Sequence, residues 1–264
     1  MPKITRELDG KVALVTGGSR GIGRAIAGRL AADGCDVVIV ARTEADLKQA
    51  AGEIAGETGR SVAICPADLR EPAGIEAALG ELNTAFGRLD ILVNNAGATQ
   101  GGDFLELDDA VWEDGFALKF YGAVRMSRAL WPLLARSHGS VVNISGGFAQ
   151  TPHHNFMIGG AVNAALTNFS KSLANRGLID DVNVNAIHPG PVTTDRYEEI
   201  LTTQAELEGI DREEVRERNL AASGVRRFAQ PEEVAALVAF LVSPAARHIH
   251  GTSQVIDGGG AKSL

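Results

Sequence analysis

The chain of 264 residues is long enough for one large domain or two small ones. Its apolar fraction of 45% and charged fraction of 22% are those of an ordinary globular protein, which excludes a disordered chain, a collagen-like repeat and a disulfide-rich miniprotein. The net charge of −8, without a clustered basic face, argues against nucleic-acid binding, because such proteins neutralise phosphates with Lys and Arg.

Neither a membrane span nor a secretion signal is predicted. No apolar run approaches the roughly 18 to 20 residues that cross a bilayer. Lys3, Arg6 and Asp9 interrupt the N-terminal stretch, so we expect no secretion signal. The two cysteines, Cys35 and Cys65, are predicted to be reduced, buried thiols rather than a disulfide or a metal pair. We therefore expect a cytoplasmic protein without a metal site.

Short β-branched runs alternate with helical patterns along the whole chain. The predicted strands are Val12–Thr16, Asp36–Ala41, Ser61–Cys65, Leu89–Val93, Ser140–Ser145, Asp181–Ile187 and Ser253–Ile256. Their nearly continuous apolar composition is typical of strands that are covered on both faces. The predicted helices between them cover residues 21–33, 44–57, 71–86, 108–135, 160–177 and 231–242. This alternation predicts an α/β fold, a doubly wound parallel sheet in a single domain spanning residues 1–264.

Two segments depart from this regular alternation. Pro132 lies within the helical stretch 108–135 and is expected to kink or end that helix. Residues 195–224 are polar, charged and helix-prone, and an insertion of this length near a strand end is predicted to be a lid or a substrate-binding segment.

A glycine-rich turn, Thr-Gly-Gly-Ser-Arg-Gly-Ile-Gly at residues 16–23, follows the first predicted strand and opens the first helix. Glycines permit the tight turn and let the backbone approach a ligand closely. The helix that follows offers free N–H groups and the positive end of its dipole to a pyrophosphate. The turn therefore predicts a dinucleotide site, with these contributing residues: Gly17, Ser19, Arg20, Gly21, Ile22 and Gly23.

The end of the second predicted strand indicates which dinucleotide is bound. Its sequence, Val-Ala-Arg-Thr at residues 40–43, lacks the carboxylate that commonly holds the adenosine ribose. Arg42, next to Thr43, and Arg20 are both expected near the position of a 2′-phosphate, and arginine binds phosphate through paired, charge-assisted hydrogen bonds. The sequence therefore predicts NADP(H) in preference to NAD(H).

Further motifs carry a family resemblance. Together with the glycine turn, Asn-Asn-Ala-Gly at 94–97, Pro-Gly at 189–190 with Thr194, and Asp-Gly-Gly at 257–259 resemble the short-chain dehydrogenase/reductases, most closely the ketoacyl-reductase-type branch. The likeness extends from about residue 10 to residue 259. It implies a Rossmann-like sheet of seven strands, a nicotinamide cofactor, a small-molecule carbonyl or alcohol substrate and commonly a homotetramer.

The resemblance also implies roles for cofactor-binding residues. Asp68 and Leu69 are expected to flank the adenine, and Asn95, Ala96 and Gly97 to line the cofactor. Thr194 is expected to meet the nicotinamide carboxamide. The other cofactor-binding residues expected after the sixth strand are Pro189, Gly190 and Val192.

The family's proton relay is missing from this sequence. In the family, an asparagine, a serine, a tyrosine and a lysine move the proton that accompanies hydride transfer. Aligned by Ala-Ala-Leu at 164–166, the tyrosine position is Gly159 and the lysine position is Asn163. The serine position is Gly146 and the asparagine position is Lys119. No Tyr-x-x-x-Lys motif occurs anywhere in the chain.

Several side chains are candidate substitutes. Lys119 has a stem long enough to reach toward the space left by the missing tyrosine and lysine, or it lies along apolar surface with its ammonium in water. His154, or its neighbour His153, titrates near neutrality and suits proton transfer, or belongs to a plain surface loop. Ser145 polarises a carbonyl, or its hydroxyl satisfies the backbone at a strand end. Asn163 is a candidate for a hydrogen bond to a ribose hydroxyl.

Two functions of different classes remain open. The first is an NADP(H)-dependent oxidoreductase with a rebuilt relay, in which Lys119 and His153 or His154 supply the proton. The second is a catalytically inactive nucleotide-binding sensor or assembly subunit. Arg196, Arg218 and Arg226 are candidates for meeting an acidic substrate, although charges on lids are commonly solvated.

Overall fold

The computed structural model describes residues 7–261 and contains one parallel sheet. Its strands are β1 (Val12–Thr16), β2 (Asp36–Ala41), β3 (Val62–Pro66), β4 (Ile91–Asn94), β5 (Ser140–Ile144), β6 (Asn183–Pro189) and β7 (Ser253–Ile256). They are ordered β3-β2-β1-β4-β5-β6-β7 across the sheet. The prediction of a Rossmann-like, doubly wound α/β fold with seven strands is confirmed.

The strands are buried because helices cover both faces of the sheet. All five residues of β1 are buried, as are all five of β5. The pairing register decides where each strand ends, which shifts several predicted bounds by one or two residues. Strand β6 was predicted from Asp181 to Ile187, but it runs on to Pro189, which pairs with Ile256 of β7.

Helices follow the strands in alternation. They are α1 (Gly21–Ala32), α2 (Glu44–Thr58), α3 (Pro72–Ala85), α4 (Asp109–Phe116), α5 (Ala123–Ser137), α6 (Met157–Asp180), α7 (Asp195–Glu208), α8 (Arg212–Ser223) and α9 (Pro231–Leu241). Apolar residues of α1, α2 and α9 form the core on one face of the sheet. Those of α3, α5 and α6 form the core on the other face.

The stretch predicted as one helix over 108–135 is divided differently from the expectation. A π-helical turn, Ala117–Gly122, separates α4 from α5. Pro132 does not end the helix, because α5 continues through it to Ser137. The interruption lies at the π-helical turn, a feature often found at functional sites.

Both cysteines are free and buried. Burial raises the pKa of the Cys35 thiol to about 12 and that of Cys65 to about 11. Among the helices of residues 7–261, none combines the length and the apolarity that crossing a bilayer requires. Lys3 and Arg6, on which the prediction about a secretion signal depends, lie outside the described residues.

Candidate active site

A cleft of about 640 Å³ opens at the carboxyl ends of the strands, beside the neighbouring strands β1 and β4, where the strand order reverses. In open parallel sheets this switch point is the usual place for a nucleotide. Most of the predicted cofactor-binding residues line the cleft: Gly17, Ser19, Arg20, Gly21, Ile22, Gly23, Arg42, Thr43, Leu69, Asn95, Ala96, Gly97, Pro189, Gly190 and Thr194. Asp68, Asn163 and Val192 lie outside its lining.

Two glycines of the turn, Gly17 and Gly23, lie where a side chain cannot be accommodated. Gly17 has a φ of +68°, which side chains disfavour. A Cβ on Gly23 would lie 2.0 Å from the carbonyl oxygen of Gly17. Helix α1 begins directly after Arg20 without a side-chain cap, so its first N–H groups are available to a phosphate. The turn therefore fits a pyrophosphate.

Thr16 joins the glycine turn to the loop after β4. Its Oγ1 accepts hydrogen bonds from the backbone N–H groups of Asn95, at 2.9 Å, and Ala96, at 3.0 Å. The Asn95 amide donates to the Thr16 carbonyl at 3.0 Å. The sequence reasoning gave Thr16 no such role, because the contact joins positions far apart in the chain. These bonds hold both walls of the cleft in one arrangement.

Two arginines line the cleft where the 2′-phosphate is predicted to lie. Arg42 is exposed and makes no ion pair with a residue in the described part of the chain. Arg20 pairs with Glu199 of α7 at 2.8 Å. The carboxylate of Asp68 accepts a hydrogen bond from the Arg70 N–H at 3.0 Å, which keeps it beside the loop after β3.

At the tyrosine position, the expected open space is filled. Gly159 is buried in the first turn of α6, and a Cβ there would lie 1.9 Å from Cε1 of Phe156. The Phe156 ring also packs against Phe148, with 5.0 Å between ring centroids. The interpretation that Gly159 leaves an open volume is therefore wrong, because the Phe156 ring occupies it, and at Gly160 a Cβ would lie 3.2 Å from the Phe148 carbonyl oxygen.

The serine and lysine positions face each other in the interior. A Cβ on Gly146 would lie 2.7 Å from the Nδ2 of Asn163. Asn163 is 4% exposed, and its Oδ1 has no hydrogen-bond partner among the described residues. The Asn163 amide therefore lies where a serine side chain at position 146 would begin.

Lys119 lies in the π-helical turn and extends into the cleft. Its stem passes over Gly97, where a Cβ would come within 2.8 Å of its Cδ. Its Nζ donates to the carbonyl oxygen of Ser145 at 2.9 Å. Burial and, to a smaller extent, the nearby positive charge of Arg196 together lower the pKa of Lys119 to about 8. This places a titratable ammonium at the end of the cleft opposite Arg42.

The other candidate acids do not direct a titrating group into the cleft, although Ser145 itself lines it. The Ser145 hydroxyl donates to the Asn163 carbonyl at 2.9 Å and contacts Thr167, so it is directed toward α6. His153 and His154 are exposed, stack on each other with 4.5 Å between centroids, and do not line the cleft. Among the predicted proton donors, Lys119 is the one whose titrating atom reaches the cleft.

The predicted lid segment folds as α7 and α8. Thr194 begins α7 by accepting a hydrogen bond from the Tyr197 N–H at 3.3 Å. Arg196 donates to the carbonyl of Thr99, at 3.1 Å, in the loop after β4. With the Arg20–Glu199 pair, this contact attaches α7 to both walls of the cleft.

Comparison with known proteins supports the family resemblance. The family model described as enoyl-(acyl carrier protein) reductase matches residues 17–260. The 3-oxoacyl-[acyl-carrier-protein] reductase of Vibrio cholerae is 34% identical over 96% of this chain and 98% of that protein.

Solved structures agree over nearly the whole chain. L-sorbose reductase from Gluconobacter frateurii, in complex with NADPH and L-sorbose, is 33% identical with a TM-score of 0.94, covering 98% of this chain and 100% of that one. A short-chain dehydrogenase from Burkholderia cenocepacia with NADP is 32% identical with a TM-score of 0.83, covering 96% of this chain and 99% of that one. The chain belongs to the short-chain dehydrogenase/reductase family, among its ketoreductase-like members.

Proposed function

We propose that the protein is an NADP(H)-dependent reductase of small carbonyl compounds in which Lys119 supplies the proton. One observation carries this proposal: the Lys119 ammonium lies in the nucleotide cleft, 2.9 Å from the Ser145 carbonyl oxygen. This chain lacks the tyrosine and lysine that its family uses there. A titratable group of perturbed pKa in a cleft is a candidate catalytic residue.

The cofactor site fits NADP(H). The glycine turn leaves room for a backbone approach that a Cβ at Gly23 would block, and Arg42, where the second strand ends, forms no ion pair within residues 7–261. Complexes of the Gluconobacter reductase with NADPH and of the Burkholderia enzyme with NADP support the same cofactor. When bound, NADPH supplies the hydride that adds to the carbonyl carbon of the substrate.

The role of Lys119 follows from its protonation state. As the carbonyl carbon gains a C–H bond, the carbonyl oxygen becomes an alkoxide and needs a proton. With a pKa of about 8, Lys119 is an ammonium in most protein molecules at pH 7. It donates one proton to the oxygen, and the resulting amine takes a proton from water. The Ser145 carbonyl orients the ammonium through its hydrogen bond.

A second function keeps the nucleotide but lacks turnover. The filled tyrosine position favours it, because Phe156 occupies the space in which the family's phenol acts. Turnover by purified protein decides between the two functions. With NADPH and a panel of aldehydes, ketones and oxo acids, we expect NADPH oxidation that depends on the substrate. Saturable NADPH binding without turnover on any member of the panel would establish the second function instead.

The assembly and location implied by the family are part of this proposal. We propose a homotetramer in the cytoplasm that binds a small-molecule substrate. The two free thiols, Cys35 and Cys65, support a reducing compartment.

Replacement of Arg42 tests the cofactor preference. In Arg42→Gln, affinity for NADPH is expected to fall by about 10- to 100-fold while affinity for NADH changes little, because a charge-assisted bond to phosphate contributes roughly 1.5 to 3 kcal/mol. Calorimetric titration with both nucleotides measures this. Arg128→Gln, an exposed arginine of α5 outside the cleft, is the control. An unchanged ratio of the two affinities in Arg42→Gln would remove the role of Arg42.

A further inference from the structure

Two positive side chains meet at the end of the cleft opposite Arg42. Lys119 and Arg196 both line it, and within residues 7–261 neither forms an ion pair. Each donates to a neutral backbone carbonyl: Lys119 to Ser145 at 2.9 Å and Arg196 to Thr99 at 3.1 Å. The net charge of the protein is −8, so carboxylates outnumber cations overall. Lys119 and Arg196 therefore place two positive charges on the wall of the cleft with no carboxylate partner among the described residues.

The remaining arginines of the lid do not share this arrangement. Arg212 and Arg216 pair with Glu198, and Arg218 pairs with Glu208. These pairs neutralise most of the positive charge of α8. Of the lid arginines predicted as candidates for an acidic substrate, Arg196 is the one that lines the cleft.

The short loop after β4 brings the two cations together. The stem of Lys119 covers Gly97, and Arg196 binds the backbone two residues later, at Thr99. The carboxylates that line the cleft are Asp46 and Asp195. Asp195 lies in the first turn of α7, where the helix dipole stabilises its negative charge.

Two neighbouring cations repel each other. Burial is the larger cause of the lowered pKa of Lys119, and the positive charge of Arg196 adds to it, so the closeness of Arg196 disfavours the charged lysine. An anion between them would reverse this effect and raise the pKa of Lys119. A guanidinium also offers paired N–H groups that match the two oxygens of a carboxylate.

We infer that the substrate of the proposed reduction carries a carboxylate close to its reacting carbonyl, and that Arg196 binds this carboxylate beside Lys119. The inference rests on the proposed function and narrows it to oxo acids. The substrate's charge then has a second effect, because a bound carboxylate keeps Lys119 protonated until it donates to the carbonyl oxygen.

Paired substrates test the inference. Short 2-oxo and 3-oxo acids and their methyl esters are compared by NADPH oxidation, in the parent protein and in Arg196→Gln, Arg196→Lys and Arg218→Gln. For the parent we expect kcat/KM to favour the acid over its ester by at least about tenfold. In Arg196→Gln we expect kcat/KM for the acid to fall by about 10- to 100-fold, mainly through KM, while the ester changes by less than about twofold.

The other variants separate charge from structure. Arg196→Lys is expected to retain part of the preference for the acid, and Arg218→Gln, whose arginine pairs with Glu208, to behave as the parent. Esters reduced as well as acids by the parent would overturn the inference. Equal losses for acid and ester in Arg196→Gln would also overturn it, since they would indicate that Arg196 only attaches α7 to Thr99.

A binding experiment keeps the inference separate from the proposed function. If no substrate is turned over, the proposed function fails, and 3-hydroxybutyrate and its methyl ester are titrated calorimetrically into the protein loaded with NADP⁺. Tighter binding of the acid, lost in Arg196→Gln, would uphold the carboxylate site. Equal binding of acid and ester would overturn it.

Discussion

Replacing Lys119 by methionine is expected to lower kcat for carbonyl reduction by about 10²- to 10⁴-fold, the usual contribution of a general acid. Methionine keeps most of the apolar stem that covers Gly97 but removes the ammonium. Cofactor affinity is expected to change far less, because the glycine turn and Arg42 lie toward the other end of the cleft. Steady-state kinetics and calorimetric titration with NADPH measure the two effects separately.

Lys171 provides a matched control for this variant. Its Nζ also donates to a backbone carbonyl, that of Gly251 at 2.9 Å, but it lies on α6 outside the nucleotide cleft. Lys171→Met is expected to retain the parent's kcat. If Lys119→Met kept the parent's kcat as well, Lys119 would not be the proton donor.

The pH dependence gives an independent readout of the same residue. The pKa of Lys119 is lowered from 10.5 to about 8, so the ammonium predominates below that pH and the amine above it. Because reduction needs the ammonium, kcat/KM for reduction is expected to fall as the pH rises through about 8. The reverse oxidation needs the amine and is expected to rise over the same range. A reduction profile that stays flat through this pH range would contradict the assignment.

A methyl group at position 159 is expected to destabilise the protein by about 1 to 3 kcal/mol, the usual cost of overpacking. In Gly159→Ala the new Cβ would lie 1.9 Å from Cε1 of Phe156. Phe148 packs against the ring, with 5.0 Å between ring centroids, and opposes its movement toward that side. Urea unfolding measures the change in the free energy of unfolding.

A double-mutant cycle identifies the ring as the cause. In a Phe156→Ala background, the cost of Gly159→Ala is expected to disappear, because the two changes act on one contact. Gly52→Ala is the control: it lies in α2 with no atom within 4 Å of its added Cβ, so up to about 1 kcal/mol of stabilisation is expected there. If Gly159→Ala cost the same with and without the Phe156 ring, the described packing would be incorrect. The contact also implies that restoring tyrosine at 159 requires a smaller residue at 156.

The sheet and the nucleotide turn could be predicted because their signals are local. Continuous β-branched runs place buried strands, and the glycines at 17, 21 and 23 follow the first strand directly. Strand ends are not encoded locally, because pairing across the sheet sets them, as at Pro189, which pairs with Ile256 and extends β6.

The reacting end of the cleft could be predicted only in part. The sequence reveals that the family's tyrosine is absent, but it does not indicate that Phe156 fills the space, since a side chain three residues earlier reaches it through the turn before α6. Likewise, a helical pattern placed Lys119 on a helix, whereas its direction depends on the π-helical turn. The direction of the Ser145 hydroxyl depends on contacts with α6 that no local pattern encodes.

Because of the π-helical turn, the geometry of this site depends on the number of residues between α4 and α5 as well as on their identity. A π turn holds one more residue than an α-helical turn, and each residue advances an α-helix by about 100°. Deleting a single residue between Ala117 and Gly122 would join α4 and α5 into one continuous helix and rotate the two segments relative to each other by about that angle. Lys119 would then leave the wall it shares with Gly97. When relatives are aligned, insertions and deletions in this turn are therefore as informative about chemistry as the amino acid found opposite Lys119.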